Sequence, residues 1–452
     1  MAETVNELRN RATTLHQKGQ LAEASTLYAT YLTMRPQDAR VWSNLGVLHR
    51  AASRHAQALR AQTKAYAINP DDTATCNNYA NILSDLGEYD RSIEIRQKLL
   101  EMDPENANQL AMIGRCLRGK GDYDAAIRHL SRAIKTHPDD PELEMQLAFA
   151  QLGAGKYKAG FKSYKARWNA GELKPRKLPY PKWQGEDLKG KTILVMPEQG
   201  FGDAVLFARF IPVLKDLGAK VLVLVEKPLV ALFRKLDGAD WTGPAVGPEA
   251  GVDFYVDTMD LAALYFETKR KIPAPATLQV PSDSVDRAKS IVAPFHGSFK
   301  IGVVWTGSVT YKGNAFRSFS HTDFLPLTDV AGVQLFSLYK GPLLEPYFKD
   351  GTSAFIVDTG SSERGFADTA ATMQQMDLLI TSDTATAHIA GSLGVPTWLV
   401  LHWDAFWVWR HSGDTTSWYP NMRLFRQDTP MDWARAHAKV KTALLEHLRV
   451  VE

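Results

Sequence analysis

Two carboxylates occur in the short segment PEQGFGD (residues 197–203), which interrupts an otherwise apolar stretch. Asp203 is a candidate general base, because a carboxylate held beside a hydroxyl group can remove its proton while the oxygen attacks an electrophile. Glu198 is a candidate for contacting the molecule that carries this hydroxyl, and it is the competing candidate for the base. Asp203 also stands beside the start of a predicted helix, so capping that helix is its alternative role.

A second group of polar residues follows the apolar run DLLITSD (residues 377–383). Thr384 to Ala387 are predicted to begin a helix directly after a strand, so their backbone N–H groups can face an anion. Asp383 carries the wrong charge for a phosphate and suits hydrogen bonds to hydroxyl groups, while His388 can reach either kind of group. Capping of the helix by Asp383 and a structural role for His388 are the alternatives. No metal is expected, since neither site has further His, Cys or carboxylate residues at ligand spacing.

The elements that must position these residues alternate between strand and helix. Residues 192–196 (TILVM) read as a buried strand, residues 204–219 as a helix and residues 220–226 (KVLVLVE) as the next strand. This βαβ pattern opens a Rossmann-like domain, whose ligands lie beyond the carboxyl ends of the strands. Only Gly200 and Gly202 are present in the turn, so the sequence does not favour a nicotinamide-binding site.

A second βαβ series begins near residue 300. The segments KIGVVWTGS, GVQLFSL, SAFIVD, DLLITSD and VPTWLVL read as strands, and residues 431–450 close the chain as an amphipathic helix. The sequence therefore predicts two Rossmann-like halves, residues 192–297 and 298–452, that face one cleft. A segment rich in Pro, Lys and Gly, residues 173–191, is predicted to be the linker that precedes them.

The N-terminal part of the chain repeats every 34 residues, with prolines at Pro36, Pro70, Pro104 and Pro138. Proline stops the second helix of each copy, and a glycine in mid-repeat suits a turn with positive φ. This pattern resembles the tetratricopeptide repeat and predicts a helical solenoid over residues 1–172 that binds a protein acceptor in its groove. A spacer or dimerisation arm is the alternative. Candidate acceptor-binding residues in the groove are Asn44, Asn77, Asn78, Asn81, Arg115 and Arg118, with solvated or helix-packing roles as the alternative.

Three longer segments, EQGFGDAVLFARF, SDTATAHIAGSLGVPTWLVL and SWYPNMRLFRQ, are similar to those of tetratricopeptide-fused proteins related to glycosyltransferase family 9, the heptosyltransferase family. The resemblance implies an α plus α/β protein, in which a tetratricopeptide solenoid precedes a GT-B fold of two Rossmann-like domains. It also implies a metal-independent, inverting transfer of sugar from a nucleotide-sugar donor to a Ser or Thr hydroxyl of a protein. Some fused relatives are bacterial enzymes that glycosylate flagellin, so flagellin is an implied acceptor.

The resemblance carries over motif by motif. Gly202-Asp203 matches the family's Gly-Asp pair, whose aspartate is the proposed base. Residues 383–388 match its donor-binding Asp-Thr-Gly-x-x-His run, except that Ala385 replaces glycine. Ser308 and Lys312 are the equivalents of phosphate-binding residues, with Arg317 as a competing ligand. The implied donor-binding set is Gly200, Gly202, Ser308, Lys312, Arg317, Asp383, Thr384, Ala385, Thr386 and His388.

The bulk composition restricts the partners. A formal net charge of +3 favours neither nucleic acid nor a membrane surface. The N-terminus lacks the apolar core of a secretory signal, and no apolar run is long enough to cross a bilayer, so we expect a cytoplasmic protein. Cys76 and Cys116 read as buried thiols. No cofactor is expected, and the sequence leaves the oligomeric state, the nucleotide and the sugar open.

Two other functions are alternatives to a protein glycosyltransferase. One is a non-catalytic scaffold in which the repeats act and the transferase part is degenerate. The other is a transferase whose acceptor is a glycolipid or lipopolysaccharide. Five tryptophans between Trp398 and Trp418 are predicted either to fill a domain interface or to stack on a base or sugar.

Overall fold

The computed structural model describes residues 4–171, 173–311 and 313–451. The chain divides into two units, Met1–Ala154 and Gly155–Glu452. The first is a helical solenoid, and the second contains two parallel β-sheets with helices between the strands. The predicted combination of a tetratricopeptide solenoid with α/β domains is thereby confirmed.

The solenoid consists of paired helices that pack against their neighbours in sequence. Four N-cap residues, Asp38, Asp72, Asn106 and Asp140, keep the 34-residue step, and each side chain accepts a hydrogen bond from the backbone N–H three residues later. The helices are α1 (Val5–Gln17), α2 (Leu21–Met34), α3 (Ala39–Ala51), α4 (His55–Ile68), α5 (Thr73–Asp85), α6 (Tyr89–Met102), α7 (Ala107–Gly119), α8 (Tyr123–Thr136) and α9 (Pro141–Gly153).

Glycines of the repeat serve two purposes. Gly19, Gly87 and Gly121 adopt φ between 75° and 80° in the turns between paired helices, as the sequence predicted. Gly114 instead allows close helix packing, since a methyl group there would overlap the side chain of Leu130, with Cγ only 2.5 Å away. Leu130 is fully buried, so this approach of α7 to α8 depends on the missing side chain.

The solenoid predicted up to residue 172 extends 34 residues past Pro138, which makes a fifth repeat copy, but this copy is not completed within the solenoid unit. Its second helix, α10 (Tyr157–Ser163), and the following 3-10 helix (Tyr164–Trp168) belong to the second unit. The prediction had assigned residues up to 172 to the solenoid. The difference has a physical reason, because Phe161 stacks on Phe266 and Arg167 pairs with Glu198, both within the second unit.

The first sheet of the second unit has four parallel strands in the order β3-β2-β1-β4. The helix predicted over residues 204–219 is broken in the structure, because Pro212 lacks the N–H that would continue it. The elements are β1 (Thr192–Met196), α11 (Phe201–Phe207), α12 (Pro212–Asp216), β2 (Lys220–Leu224), β3 (Trp241–Gly243), β4 (Phe254–Asp257) and α13 (Thr258–Thr268), with short 3-10 helices at Ala208–Phe210, Lys227–Leu229 and Pro248–Ala250.

The second sheet has six parallel strands in the order β10-β9-β8-β5-β6-β7. If β5 is numbered 1 and the strands are read from β7 to β10, the order is 3-2-1-4-5-6, which is the Rossmann arrangement. The first sheet has the 3-2-1-4 part of the same order. The elements are α14 (Ser282–Val292), β5 (Phe299–Val304), α15 (Asn314–Arg317), α16 (Leu325–Thr328), β6 (Val333–Ser337), α17 (Leu344–Lys349), β7 (Ile356–Asp358), α18 (Phe366–Met373), β8 (Leu378–Ser382), α19 (Ala385–Leu393), β9 (Thr397–Leu401), β10 (Met422–Arg426) and α20 (Trp433–Val451). Short 3-10 helices occur at Ala293–Phe295, His321–Phe324, Thr352–Ala354, Gly360–Ser362 and Trp407–Trp409.

Helix α14 precedes the second sheet in sequence and packs on its helix α18. The Ser284 hydroxyl donates to Asp368 at 2.7 Å, and Arg364 bridges Asp283 and Asp368. The sequence had placed this helix in the first half, residues 192–297. Its polar contacts attach it to the second half instead.

The close approach at Gly114 gives a stability prediction. Replacing Gly114 by alanine forces the buried Leu130 to move, and we expect the free energy of unfolding to fall by about 1–3 kcal/mol. Denaturant unfolding followed by circular dichroism measures this change. Gly297→Ala is the control, since a methyl group there meets nothing within 4 Å. Equal stability of the two variants would contradict the packing argument.

Candidate functional site

The order of the second sheet creates a crevice between β5 and β8, where connections leave the sheet in opposite directions. The carboxyl ends of both strands lead to polar residues. A methyl group on Gly307, after β5, would lie 3.0 Å from the Thr384 side chain, which follows β8, and 2.9 Å from Nη2 of Arg317. The glycine therefore lets Thr384 and Arg317 meet at this crevice.

Asn314 orders this side of the crevice. Its Oδ1 accepts hydrogen bonds from the Gly307 N–H at 3.2 Å and from Arg317 Nε at 3.3 Å. Its amide group donates to Thr306 at 3.0 Å. The sequence analysis did not single out Asn314, because a lone asparagine in a polar loop carries no distinctive pattern.

Thr384 is the N-cap of α19, yet its side chain makes no capping bond. Its Oγ1 is buried without a hydrogen-bond partner in the described part of the chain, and so is the hydroxyl of Ser382. An unpaired buried hydroxyl costs about 1–3 kcal/mol. Thr384 lies at the start of a nine-residue helix, whose first N–H groups favour an anion, and Ser382 ends the preceding strand β8.

Arg317 supplies positive charge at the same place. Its guanidinium lies over the Tyr311 ring at 4.6 Å, and within the described ranges no carboxylate is close enough to form an ion pair with it. It acts electrostatically on Asp203, Asp383 and His388. The residue that the sequence offered as a competing phosphate ligand thus places a cation at this crevice.

In the first half, the turn after β1 carries Asp203. The helix α11 begins at Phe201, so Asp203 lies inside its first turn rather than ahead of it, and its carboxylate accepts the Gly200 N–H at 3.2 Å. Gln199 adopts φ 58° and donates to the Tyr164 hydroxyl at 2.9 Å. Asp203 therefore does help to cap its helix, and it remains partly exposed.

The sequence offers Glu198 as a residue that contacts the acceptor, but the structure buries it in an ion pair. It is 3% exposed and forms a two-pronged ion pair with Arg167, at 2.8 and 3.0 Å. It also accepts the Met259 N–H at 3.0 Å, so it fills the crevice between β1 and β4. Asp203 is accordingly the remaining candidate for the base.

The two halves meet through α11 and α19. A methyl group at Gly202 would lie 3.0 Å from Cδ2 of His388 and 3.4 Å from Cα of Ala385. Gly202 and Ala385, both predicted to bind the donor, therefore form this contact. Ala385 stands where the family motif has glycine, and it packs here against Gly202. Asp203 and the start of α19 consequently lie beside each other.

His388 is buried and uncharged. Its Nδ1 lies 3.1 Å from the Tyr419 hydroxyl, and its ring stacks on Trp409 with centroids 5.4 Å apart. Burial lowers the pKa of His388 to about 3, and the nearby Arg209 and Arg317 add to the decrease. Tyr419 and Arg209 were not singled out as site residues, although both lie in the segments that carry the family resemblance.

The two aspartates have altered acidity. Burial raises the pKa of Asp203 to about 6; the Gly200 N–H opposes this change, and the charge of Asp383 adds to it. Burial also raises the pKa of Asp383, while Arg317 and the Trp409 side chain oppose the increase. No capping bond from Asp383 to α19 is found in the described residues. A carboxylate with pKa near 6 suits proton abstraction at neutral pH.

The remaining donor-binding candidates differ in position. Thr386 is buried on α19. Ser308 is exposed and exchanges hydrogen bonds with Thr310 in its own turn, which directly follows Gly307. Lys312 lies outside the described residues. Gly200 is exposed at the N-cap of α11.

The predicted groove residues make contacts inside the solenoid, as helix-packing residues do, and all are half-buried. Asn44 contacts Tyr28, Asn77 contacts Gln109, Asn78 contacts Ser43, Asn81 accepts from Arg96, Arg115 lies 3.9 Å from Asp85, and Arg118 faces the Phe149 ring.

Tryptophans of the 398–418 region are mostly buried. Trp407 contacts Phe161, Trp418 contacts Arg209 and Trp409 covers His388, so they fill the protein interior rather than offer open stacking faces. Among the described residues no group of three or more His, Cys, Asp or Glu is placed to hold a metal ion. In the same part of the chain, every helix is too short or too polar to cross a membrane.

Comparison with known proteins covers both parts of the chain. Residues 3–141 match the family model of the cytochrome c-type biogenesis protein H TPR domain. Protein FlbA of Caulobacter vibrioides is 25% identical over 93% of this chain and 75% of its own length. Similar solved structures include MamA from Desulfovibrio magneticus RS-1, which is 14% identical. The match covers 38% of this chain and 99% of that chain, with a TM-score of 0.35. Another is a tetratricopeptide repeat protein from Parabacteroides merdae, which is 18% identical; the match covers 37% of this chain and 67% of that chain, with a TM-score of 0.33. The match to that family model shows that the N-terminal part of this chain is a TPR-type domain.

Proposed function

We propose that this protein is a metal-independent, inverting glycosyltransferase that moves a sugar from a nucleotide-sugar donor to a hydroxyl group of a protein. The observation that carries the proposal is the position of Asp203 beside the start of α19, where Arg317 and the unpaired Thr384 hydroxyl also lie. A base and an anion-binding site thus occupy one place, contributed by two Rossmann-like halves.

The donor side of the site fits a diphosphate. Negative charge develops on the phosphate as the glycosidic bond breaks, and fixed N–H dipoles and a guanidinium stabilise it without a metal ion. The N-terminus of α19, the Thr384 hydroxyl and Arg317 supply these groups. Asp383 is suited to accept hydrogen bonds from sugar hydroxyls.

The acceptor side needs a base. Asp203 removes the proton of the acceptor hydroxyl as its oxygen attacks the anomeric carbon, and the nucleoside diphosphate leaves with the electron pair of the broken bond. A single displacement of this kind inverts the anomeric configuration. Glu198 cannot share the task, because Arg167 occupies both of its oxygens.

The TPR-type domain supports a protein as the acceptor, because such solenoids bind protein segments. The family resemblance names flagellin as an acceptor of related enzymes, and we propose it, in the cytoplasm, as the first to test. A scaffold without activity and a glycolipid transferase are the competing functions. The experiment below separates them.

Asp203→Asn removes the base while it keeps the size of the side chain. We expect the rate of transfer to fall by about 10²–10⁴-fold. The measurement is intact mass of partner proteins co-purified with each form, where a sugar-sized increment should be present with the wild type and absent with the variant. Asp216→Asn, on the exposed end of α12, is the control.

Each outcome of the mass measurement decides between functions. An increment that persists with Asp203→Asn excludes this residue as the base. No increment on any partner in either sample favours the scaffold. Sugar found on a glycolipid fraction instead of a protein favours the glycolipid transferase.

The raised pKa of Asp203 predicts the pH dependence of transfer. Only the carboxylate form accepts a proton, so kcat/KM should rise with pH and level off above about pH 6. Initial rates measured between pH 4.5 and 8 test this, at roughly half-unit steps. A rate that decreases through this range would be incompatible with Asp203 as the base.

Arg317→Ala removes the cation of the crevice. Since a hydrogen bond to a charged group contributes about 1.5–3 kcal/mol, the Kd of nucleoside diphosphate should rise at least about tenfold. Calorimetric titration with ADP, GDP, CDP and UDP in the presence of a chelator measures this. Arg234→Ala, an exposed arginine on the first half, should bind as the wild type does. Unchanged affinity in Arg317→Ala would place the phosphates elsewhere.

A further inference from the structure

The two nitrogens of His388 have different surroundings. Nδ1 lies 3.1 Å from the Tyr419 hydroxyl, whereas Nε2 has no hydrogen-bond partner within the described part of the chain. The neighbouring Cδ2 atom faces Gly202 of the opposite half. A neutral imidazole carries its proton on one nitrogen only, so the partner of Nδ1 decides what Nε2 can do.

Arg209 lies on the other side of Tyr419. It is 4% exposed and donates to the carbonyl oxygens of Leu206 and Trp418, both at 2.9 Å. Its guanidinium carbon is 4.6 Å from the centroid of the Tyr419 ring. In the described residues no ion pair joins this buried cation to a carboxylate, so Tyr419, through its ring and its hydroxyl, and backbone carbonyls stabilise the charge.

A cation over a phenol ring changes the hydrogen bond that the phenol makes. It draws electron density from the ring, so the O–H group becomes a stronger donor and a weaker acceptor. Burial raises the pKa of Tyr419, and Arg209 opposes that increase. The cation thus makes the phenol more acidic, in line with its stronger O–H donation. Nδ1 of His388 lies 3.1 Å from this hydroxyl and can accept its hydrogen bond, and the Ser392 side chain also interacts with the hydroxyl.

We propose that Arg209 and Tyr419 are positioning residues that hold His388 as the neutral tautomer protonated at Nε2. Tyr419 donates to Nδ1, and the proton of the imidazole is thereby directed to Nε2. His388 then offers an uncharged N–H donor at the place where α11 and α19 meet. With the function proposed above, on which this assignment of a ligand rests, that donor binds an oxygen of the donor diphosphate or sugar.

The arrangement spans both halves. Arg209 belongs to the 3-10 helix after α11, while His388 is on α19 and Tyr419 precedes β10. The Trp409 ring, which is fully buried, covers one face of the imidazole and keeps water from that side. The tautomer is therefore fixed by packed side chains of the protein before any ligand binds.

Nitrogen-15 NMR of protein labelled in its histidine rings tests the tautomer directly, without ligand. In the wild type we expect Nδ1 of His388 to be unprotonated and Nε2 to carry the proton, with the signal assigned by its loss in His388→Gln. In Tyr419→Phe the donor to Nδ1 is gone, and the two tautomers should exchange. Tyr265 is a half-buried tyrosine whose hydroxyl forms no hydrogen bond within the described ranges, so Tyr265→Phe is the matched control and should keep the wild-type signal.

The role of the cation is tested at Arg209. Arg209→Lys keeps a positive charge and should retain the wild-type tautomer, whereas Arg209→Met should lose it in part. A wild-type His388 protonated at Nδ1, or a signal unchanged in Tyr419→Phe, would overturn the proposal. Thermal unfolding of each variant shows whether it is folded, so loss of structure is recognised separately.

Ligand binding distinguishes this inference from the proposed function. Titration with the four nucleoside diphosphates should give a Kd roughly tenfold higher for Tyr419→Phe than for the control, since a misdirected donor loses one charge-assisted hydrogen bond. Wild-type protein that binds none of them, yet shows the expected tautomer, would contradict the proposed function and leave the tautomer assignment intact. Binding with equal Kd in both forms would exclude His388 Nε2 as a ligand of the diphosphate.

Discussion

The contact between α11 and α19 requires that residue 202 have no side chain. Any larger residue would push His388 and the backbone of Ala385 away, because a methyl group already reaches within 3.0 Å of the imidazole. This close approach places a carboxylate of one sheet beside a helix start of the other. Each sheet alone has the ordinary crevice of a Rossmann-like fold, and Asp203 and the start of α19 come together only where the two halves meet.

Charged groups of both signs lie close together where the two halves meet. Among the described residues Asp203, Asp383 and Arg317 interact electrostatically, and the nearby imidazole of His388, on which Arg209 and Arg317 act, stays neutral. Withdrawal from water makes both carboxylates easier to protonate, while the arginine limits the effect. Such perturbed groups cluster where charge must change during a reaction, although ion-pair networks of purely structural purpose also produce them. Here the unpaired hydroxyls at the start of α19 favour a ligand.

Much of the fold could be predicted from the sequence. The 34-residue step fixes the helical pairs, and the apolar runs at 192–196 and 378–382 are strands, because these patterns depend on local periodicity. The positions of Asp203, Asp383 and His388 after strands were also readable, since Rossmann-like sheets place such residues at one edge. Charge type alone identified Arg317 as a phosphate candidate.

Other features depend on contacts between residues far apart in sequence, which no local pattern reveals. Glu198 looked like a free acid beside Asp203, yet Arg167, from a segment assigned to the solenoid, pairs with it. Tyr419 and Arg209 acquire their roles only when the second half folds against the first. The groove asparagines were ambiguous for the same reason, because their partners lie on neighbouring repeats.

The ion pair between Arg167 and Glu198 also determines where the chain can be shortened. A fragment that starts at β1 would discard the arginine and leave a carboxylate in the protein interior without counter-charge, a defect that typically costs 3–5 kcal/mol. It would also lose Phe161 from the aromatic cluster around Phe266. The smallest piece with an intact α/β interior therefore begins near Gly155, where one repeat-like helix has become part of the neighbouring domain.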